Sequence, residues 1–539
     1  MGYAKSMKSG FRQSMAWLHT WTGIIVSWLL YFIFVTGTLG YFDSEIDAWM
    51  KPELPRNTSN TQSALITAQS HLEQHGQDAK DWRIYLPLSR TEPHLEVGYQ
   101  QRNDAGKLVR VSQQLHAQTG EVLQSRATGG GQSLYRMHYR LHYIPTRLAY
   151  YFVGVFTLFM LLGLVTGIVV HKKIFKEFFS FRLNKGATSW LDGHNLMSVM
   201  SLPFHLMITY SGLIMFTFTY VPFILNASYG LGETGKKQFF EEYYQRGAPV
   251  EASGEPATML PLPVLYQNAA MYLAGQGNNQ ANYAIRIYHL HDKNSVAVFS
   301  PELSEPSNDG TKLVISATSG EVLSYQAHYA GVRRVQSVFL ELHEGIFADL
   351  PIRWLYFISG LTGCAMIATG MILWTTKRRK KALNHPNGLP FSFKLTEGLN
   401  IGTIVGLPAA VAVYFLANRL LPVAFDGRAD WEIHSLFITW LAFLVHGMYF
   451  TWQNQGQKAW YQQWTAAALL FVSVPIINAL TTQRGLVPSF ASNDWVYVAF
   501  DMSNLVAGLL CAFIASKVTR ANKHTQSVKV IKRKVEGVV

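Results

Sequence analysis

The stretch from Leu148 to Val170 is apolar and carries no charge. A helix of that length, at about 1.5 Å per residue, crosses the ~30 Å hydrocarbon core of a bilayer. Only a helix or a closed barrel satisfies its own backbone in lipid, so this run excludes an ordinary soluble fold. Histidines bracket it: His138 and His142 before, His171 after. One histidine at a membrane helix end is commonly an interfacial residue held by water. Histidines at matching depths in several spans need another explanation.

Such spans recur. His19–Phe42 is the first; it is too long for a signal-peptide core and has no small-residue cleavage site after it, so it reads as an uncleaved anchor. Leu148–Val170 is the second, about 196–220 the third, and Trp354–Thr376, followed by KRRKK, the fourth. Four weaker runs follow near 401–417, 433–450, 464–480 and 495–515. A chain of 539 residues that is 49% hydrophobic and 15% charged fits a membrane protein with sizeable polar loops. The net charge of +13 arises from Lys and Arg beside the spans, which the positive-inside rule explains without nucleic acid. That rule places both termini and the loops 171–190 and 377–395 in the cytoplasm, a topology that eight spans satisfy. Cys364 and Cys511 both sit in apolar runs, leaving no disulfide framework, CxxC metal site or CxxCH haem-attachment motif.

Two polar segments, 43–140 and 221–345, then face the opposite side. Each opens with a helical pattern (TQSALITAQSHLEQHG, LPVLYQNAAMYLAGQG) and continues with alternating strand-like runs. Each also holds a Gly-Glu-Val-Leu turn, at 120–123 and 320–323, whose glycine suits a positive φ. Two such turns in equivalent places indicate a duplication of the unit span, outer domain, span. The spans agree. His19 precedes Gly37 by 18 residues and His194 precedes Gly212 by 18, so each histidine shares a helix face with its glycine. A glycine there lets a flat group or a neighbouring backbone come close.

By topology, His19 and His194 lie at the cytoplasmic level and His142 and His343 at the outer one. The two halves thus supply one histidine each to two levels of a four-helix core. Facing neutral imidazoles in a bundle are a usual way to hold haem, whereas a structural zinc site wants four converging ligands. Three more histidines form a second tier. His138, one turn before His142, can replace it or support it. His171 shares the cytoplasmic level, where it can equally meet lipid headgroups. His205 lies 11 residues beyond His194, nearly three turns, so it points the same way about 16 Å deeper. It either assists a haem or makes an interhelical hydrogen bond. His434 and His446 read as structural, and His71, His75, His94 and His116 as surface residues. GGGQS at 129–133 reads as a flexible loop outside the membrane and not as a dinucleotide fingerprint.

The motifs HTWTGIIVSW with FVTG, LHYIP with TGIVVHKKIF, SWLDGHN with LPFHLMITYSG, and LH-G followed by RWLYF, ATG and LW resemble those of the PepSY-associated transmembrane family over about residues 10–380. The resemblance implies an iron-regulated protein of the bacterial inner membrane, with b haems between histidine-bearing helices and a link to ferric-siderophore reduction. Carried over by position, His19, His142, His194 and His343 are the axial ligands of about two haem b groups. The expected fold is a membrane all-α bundle of about eight transmembrane helices, with two small α+β PepSY-like periplasmic domains. The chain divides into 1–42 (cytoplasmic N-terminus and first span), 43–140 (first periplasmic domain) and 141–220 (second and third spans). It continues with 221–345 (second periplasmic domain), 346–380 (fourth span), 381–516 (four further spans that the family unit lacks) and 517–539 (basic cytoplasmic tail). The expected activity is an oxidoreductase that carries electrons to ferric iron or a ferric siderophore in the periplasm, from a quinol or a cytoplasmic reductase. Rival readings are a signalling or protease-regulating membrane protein without redox activity, and a permease using the last four spans.

Overall fold

A computed structural model of the chain describes residues 10–536 apart from 56–59, 88–93, 103–105, 172–181, 183–184, 221, 245–249, 279–282, 302–309 and 330. Most of the basic loop 171–190 therefore lies outside the described residues. The chain forms two compact units: Met1–Pro52, Arg126–Leu213 and Leu350–Val539 make the first, Glu53–Ser125 and Ile214–Asp349 the second.

The first unit is all helix. Among the described residues seven helices are long and apolar enough to cross a membrane: Phe11–Gly40, Thr146–Val170, Leu350–Leu383, Phe391–Leu420, Arg428–Trp452, Gly456–Thr481 and Trp495–Thr519. The pair Ala187–Met200 and Leu202–Met215, bent by 67°, makes an eighth if counted as one span. The bend has a local cause. Pro203 has no N–H to give the Val199 carbonyl, so the ladder breaks at Ser201 and restarts with the His205 N–H donating to the Ser201 carbonyl at 2.8 Å. His194 and His205 thus fall on different helices, and the expectation that one straight face carries both does not hold.

The Phe391–Leu420 span is the most buried of these, with 83% of its apolar window inside the protein. Gly398, Gly402 and Gly406 recur every fourth residue on the face that meets the Arg428–Trp452 helix. A Cβ at Gly398 would lie 2.9 Å from the Met448 Cα, and one at Gly402 2.6 Å from the Leu444 Cα. Small residues at this spacing let two membrane helices pack backbone against backbone.

The second unit holds one seven-stranded antiparallel sheet in the order β3-β2-β1-β4-β5-β6-β7. The strands are β1 (Asp81–Tyr85), β2 (Leu95–Arg102), β3 (Leu108–Leu115), β4 (Tyr283–Tyr288), β5 (Val296–Pro301), β6 (Lys312–Ser316) and β7 (Val322–Gln326). The two polar segments therefore do not fold as separate domains. They join edge to edge through β1 and β4, because each segment's first strand would otherwise be an unpaired apolar edge. One core serves both. Leu65, Leu72, Trp82, Ile84 and Val97 of the first segment pack with Leu265, Leu273, Ile285, Ile287 and Phe299 of the second, under the helices Thr61–His75 and Leu262–Gly275.

The duplication persists in detail. Gly120 and Gly320 take φ of +73° and +79°, and each N–H returns to the carbonyl four residues back, His116 and Ser316. Gly130 and Gly331, at φ +62° and +57°, each open a helix, and the Leu-His pairs 141–142 and 342–343 follow at the same distance. His71 departs from its expected surface position. It is only 7% exposed, stacked on His75, and bonded through Nε2 to the Gln113 side chain at 2.8 Å, because its helix face lies over the sheet.

Candidate functional site

Four histidines of the membrane unit are seated in the same way. The His19 ring donates from Nδ1 to the Gly163 carbonyl at 3.0 Å, and a Cβ on Gly167 would touch the ring at 3.4 Å. His194 Nδ1 reaches the Met366 carbonyl at 2.8 Å, and a Cβ on Gly370 would lie 3.2 Å from it. His138 Nδ1 reaches the Ile33 carbonyl at 2.7 Å and lies flat over Gly37, where any Cβ would overlap the ring. His205 Nε2 meets the Ser359 carbonyl at 3.3 Å, with Gly363 beneath it.

In each case the acceptor is carbonyl i and the glycine is residue i+4. That carbonyl already accepts the i+4 N–H and has a second lone pair, which the side chain of i+4 would crowd. Removing the Cβ opens the lone pair to an imidazole. For His19 and His194, an Nδ1–H given to a carbonyl fixes the tautomer with an unprotonated Nε2, the form that ligates a metal. The spacing of His19 to Gly37 thus has a different meaning from the one expected: Gly37 makes room for the His138 ring.

The structure brings His19 and His194 together, with ring centres 6.2 Å apart at an interplanar angle of 62°. Both are half-buried because they line one cavity of ≈ 340 Å³, bounded by Leu30, Met160, Met366 and Trp374. That volume lies at the lower end of the range for small-molecule sites. His171 lines the same cavity, and its buried Nε2 has no hydrogen-bond partner among the described residues. Lys377 and Arg378 add two cations to the lining, the Arg378 guanidinium lying 4.0 Å from the Trp374 ring centre. The 6.2 Å spacing leaves room for one metal ion bonded to a nitrogen of each ring at about 2.0 Å. Two imidazoles, apolar walls and a cationic margin match a flat, largely apolar macrocycle bearing two carboxylates. Among the described residues no three His, Cys, Asp or Glu side chains converge on a common point, so these levels offer two protein ligands and not four.

His205 is fully buried, edge-on to Phe34 at 6.0 Å, and its Nδ1 has no hydrogen-bond partner among the described residues. His142 is exposed, its ring stacked 6.1 Å from Phe437. His343 is half-buried on the Gly331–Glu344 helix of the second unit. His434 accepts the Tyr143 hydroxyl at 2.6 Å, and His446 is bonded to Gln462 and Gln463.

One buried polar network was not legible in the sequence. Glu432 is on a helix and 0% exposed. It pairs with Arg428 at 2.5 Å and accepts from Thr128 Oγ1, the Gly129 N–H and Asn418 Nδ2. Arg428 also donates to the Ala127 carbonyl, and Tyr414 to the Gly130 carbonyl. Asp501 accepts from the Trp49 indole and from Asn478, each at 3.0 Å. These bonds tie the last four spans to residues 48–49 and 127–130. Asp501 and Glu432 thus both have partners within the protein. Gly129–Gly131 is accordingly no flexible loop. Cβ atoms at Gly130 and Gly131 would overlap Asp47 and the Asp43 backbone, so only glycine fits.

Apolar spans, with a pair of histidines facing one cavity, define a multi-pass membrane protein built on a duplicated histidine-bearing bundle. The chain belongs to the PepSY-associated TM region family, whose model matches residues 16–377, more than half of its length. No curated protein gives a match to the chain. The family match ends before the Phe391–Leu420 span, so the braces formed by the last four spans are additions to the family unit.

Proposed function

We propose that this protein is a transmembrane electron carrier that binds haem b and reduces ferric iron or a ferric siderophore on the outer side for iron uptake. The observation that carries the proposal is the His19–His194 pair. The two rings stand 6.2 Å apart in one cavity, and each has its Nδ1 committed to a helix carbonyl. Haem b, held by His19 and His194, would supply one-electron chemistry, and two imidazole ligands would favour electron transfer over oxygen chemistry. His19 and His194 are the ligands of this level. Gly163 and Met366 hold their ring orientation through the carbonyl bonds, and Lys377 and Arg378 neutralise the carboxylates.

For a second haem, seating favours His138 and His205, the remaining pair held on carbonyl-and-glycine sites, over the exposed His142. Ferric iron suits the acceptor role because hard oxygen ligands hold Fe(II) weakly and release it on reduction. The positive-inside reading puts the donor, a quinol or a cytoplasmic reductase, on the His19 side. The test is pyridine haemochrome analysis of protein purified from haem-replete cells. About two haems b per chain are expected, and less than one overturns the reading.

A further inference from the structure

Strands β1 and β4 carry the same sequence device, Arg-Ile-Tyr, at 83–85 and 286–288. Their antiparallel register makes Arg83 and Arg286 direct partners, with Ile84 opposite Ile285 and Trp82 opposite Ile287. The local two-fold axis of the duplicated sheet thus passes between two arginines. The isoleucines and Trp82 face the helix-covered core, so both arginines project from the other face.

Like charges directly opposite on a sheet repel. Asp81 relieves part of this cost: it is 3% exposed, accepts from Arg286 Nε at 3.0 Å and lies 3.7 Å from Arg83 Nη2. The relief is incomplete. Arg110 and Lys312 project from the same face, and Lys312 is held below the usual lysine range by burial and by Arg286 and Arg333. Glu96, bonded to Ser112, is the other carboxylate there. Among the described residues the strands place four cations there (Arg83, Arg110, Arg286, Lys312) against two carboxylates, and Arg333 acts on Lys312 as well. Arg83 Nε is buried with no hydrogen-bond partner among the described residues, although the side chain is 19% exposed. Gly98, the register partner of Arg83, puts no side chain beside it; a Cβ there would make ordinary contact with the Val111 carbonyl at 3.4 Å and the Arg83 Cβ at 3.8 Å.

We propose that this face is a binding site for a small anionic ferric chelate, a polycarboxylate whose free oxygens bridge Arg83 and Arg286. Paired guanidinium forks match carboxylates bidentately, and a half-desolvated setting strengthens each contact. The occupant is small because the open step is one glycine wide. It is a carboxylate complex of iron because the proposed function needs ferric iron on this unit, and the inference rests on that reading.

The test uses the full chain in nanodiscs of neutral lipid, with gallium citrate as a redox-inert stand-in for a ferric polycarboxylate, read by calorimetry. Binding does not depend on haem, so a failure here is separable from a failure of haem analysis. Arg83→Gln and Arg286→Gln should each weaken binding about ten- to hundredfold, the range for a lost charged hydrogen bond. Arg83→Lys should retain part of the affinity, and Asp81→Asn should raise it. Three results would overturn the proposal: no gallium citrate binding by the wild type, equal binding by the double Gln variant, or equally tight binding of a neutral gallium hydroxamate. Inorganic phosphate and vesicles containing phosphatidylglycerol form the other arms. Tighter capture of either than of gallium citrate would reassign the arginines to phosphate or lipid headgroups and likewise overturn it.

Discussion

The two ends of the membrane unit differ in how they hold their histidines. At one end, His19 and His194 occupy equivalent places in the two halves, sit on equivalent carbonyl-glycine sites, and face each other across a cavity. At the other, His138 and His205 have no counterparts: the duplication puts Phe339 where His138 would recur and Leu30 where His205 would. The last four spans bond the first half on that side, at residues 48–49 and 127–130, and they also bond the Leu350–Leu383 helix near the first end, through Asn400 to the Met371 carbonyl and Glu397 to Arg379. Copying a unit reproduces a symmetric site at no further cost in specification. The added helices brace both ends.

The comparison is tested most strongly by removing the ligands of the symmetric end. His19→Ala or His194→Ala should abolish one haem component in low-temperature α-band spectra. The double variant should lose no more than the worse single one, since the two act as a unit. At the other end His138→Ala should remove the second component and His142→Ala should spare it; the reverse outcome would restore the pairing of His142 with His343. Next comes the brace. Glu432→Ala leaves Arg428 buried without its partner and should cost about 3–5 kcal/mol in thermal unfolding of the detergent-solubilised protein. A loss of the His19–His194 component in that variant would show that the ends are not independent.

A smaller effect is expected from Gly37→Ala, where the new methyl overlaps the His138 ring. About 1–3 kcal/mol is typical of such overpacking, with loss of the second spectral component. Gly167→Ala, whose methyl would meet His19 at an ordinary 3.4 Å, should be nearly silent. The smallest effect is one of pH. Burial, with help from Asp43, raises the Asp47 carboxyl to about 6. A raised carboxyl favours the folded state only while protonated, so stability should fall as pH rises from about 4 to about 6. Asp47→Asn should flatten that slope in melting curves across this range.

Much of this was legible in the sequence, for reasons that differ by residue. The spans followed from apolar length, and the glycines at 120 and 320 from turn chemistry that local residues decide alone. The His19–His194 pair followed from repetition. The sequence misled where the outcome depends on a distant partner. Gly129–Gly131 looks like a loop because composition does not reveal that Asp43, Asp47 and Tyr414 close over it. Glu432 is satisfied by Arg428, Thr128 and Asn418, partners that the sequence alone does not bring together. His205 looked aligned with His194 until Pro203 broke the helix between them. The outer segments looked like two domains because each has a helix and strands enough to suggest its own sheet, and only the β1–β4 register joins them.

That register has a consequence for biosynthesis. Arg83 waits for Arg286, and between them the ribosome must deliver the Thr146–Val170 helix and the bent pair into the bilayer. Until then β1 is an apolar strand with one bare edge, the kind of surface that recruits wrong partners. Closure of the sheet therefore requires both polar segments to reach the same side. A chain with one span left out would carry its second polar segment to the wrong side, β4 would never reach β1, and the bare strand would mark the molecule for aggregation or proteolysis.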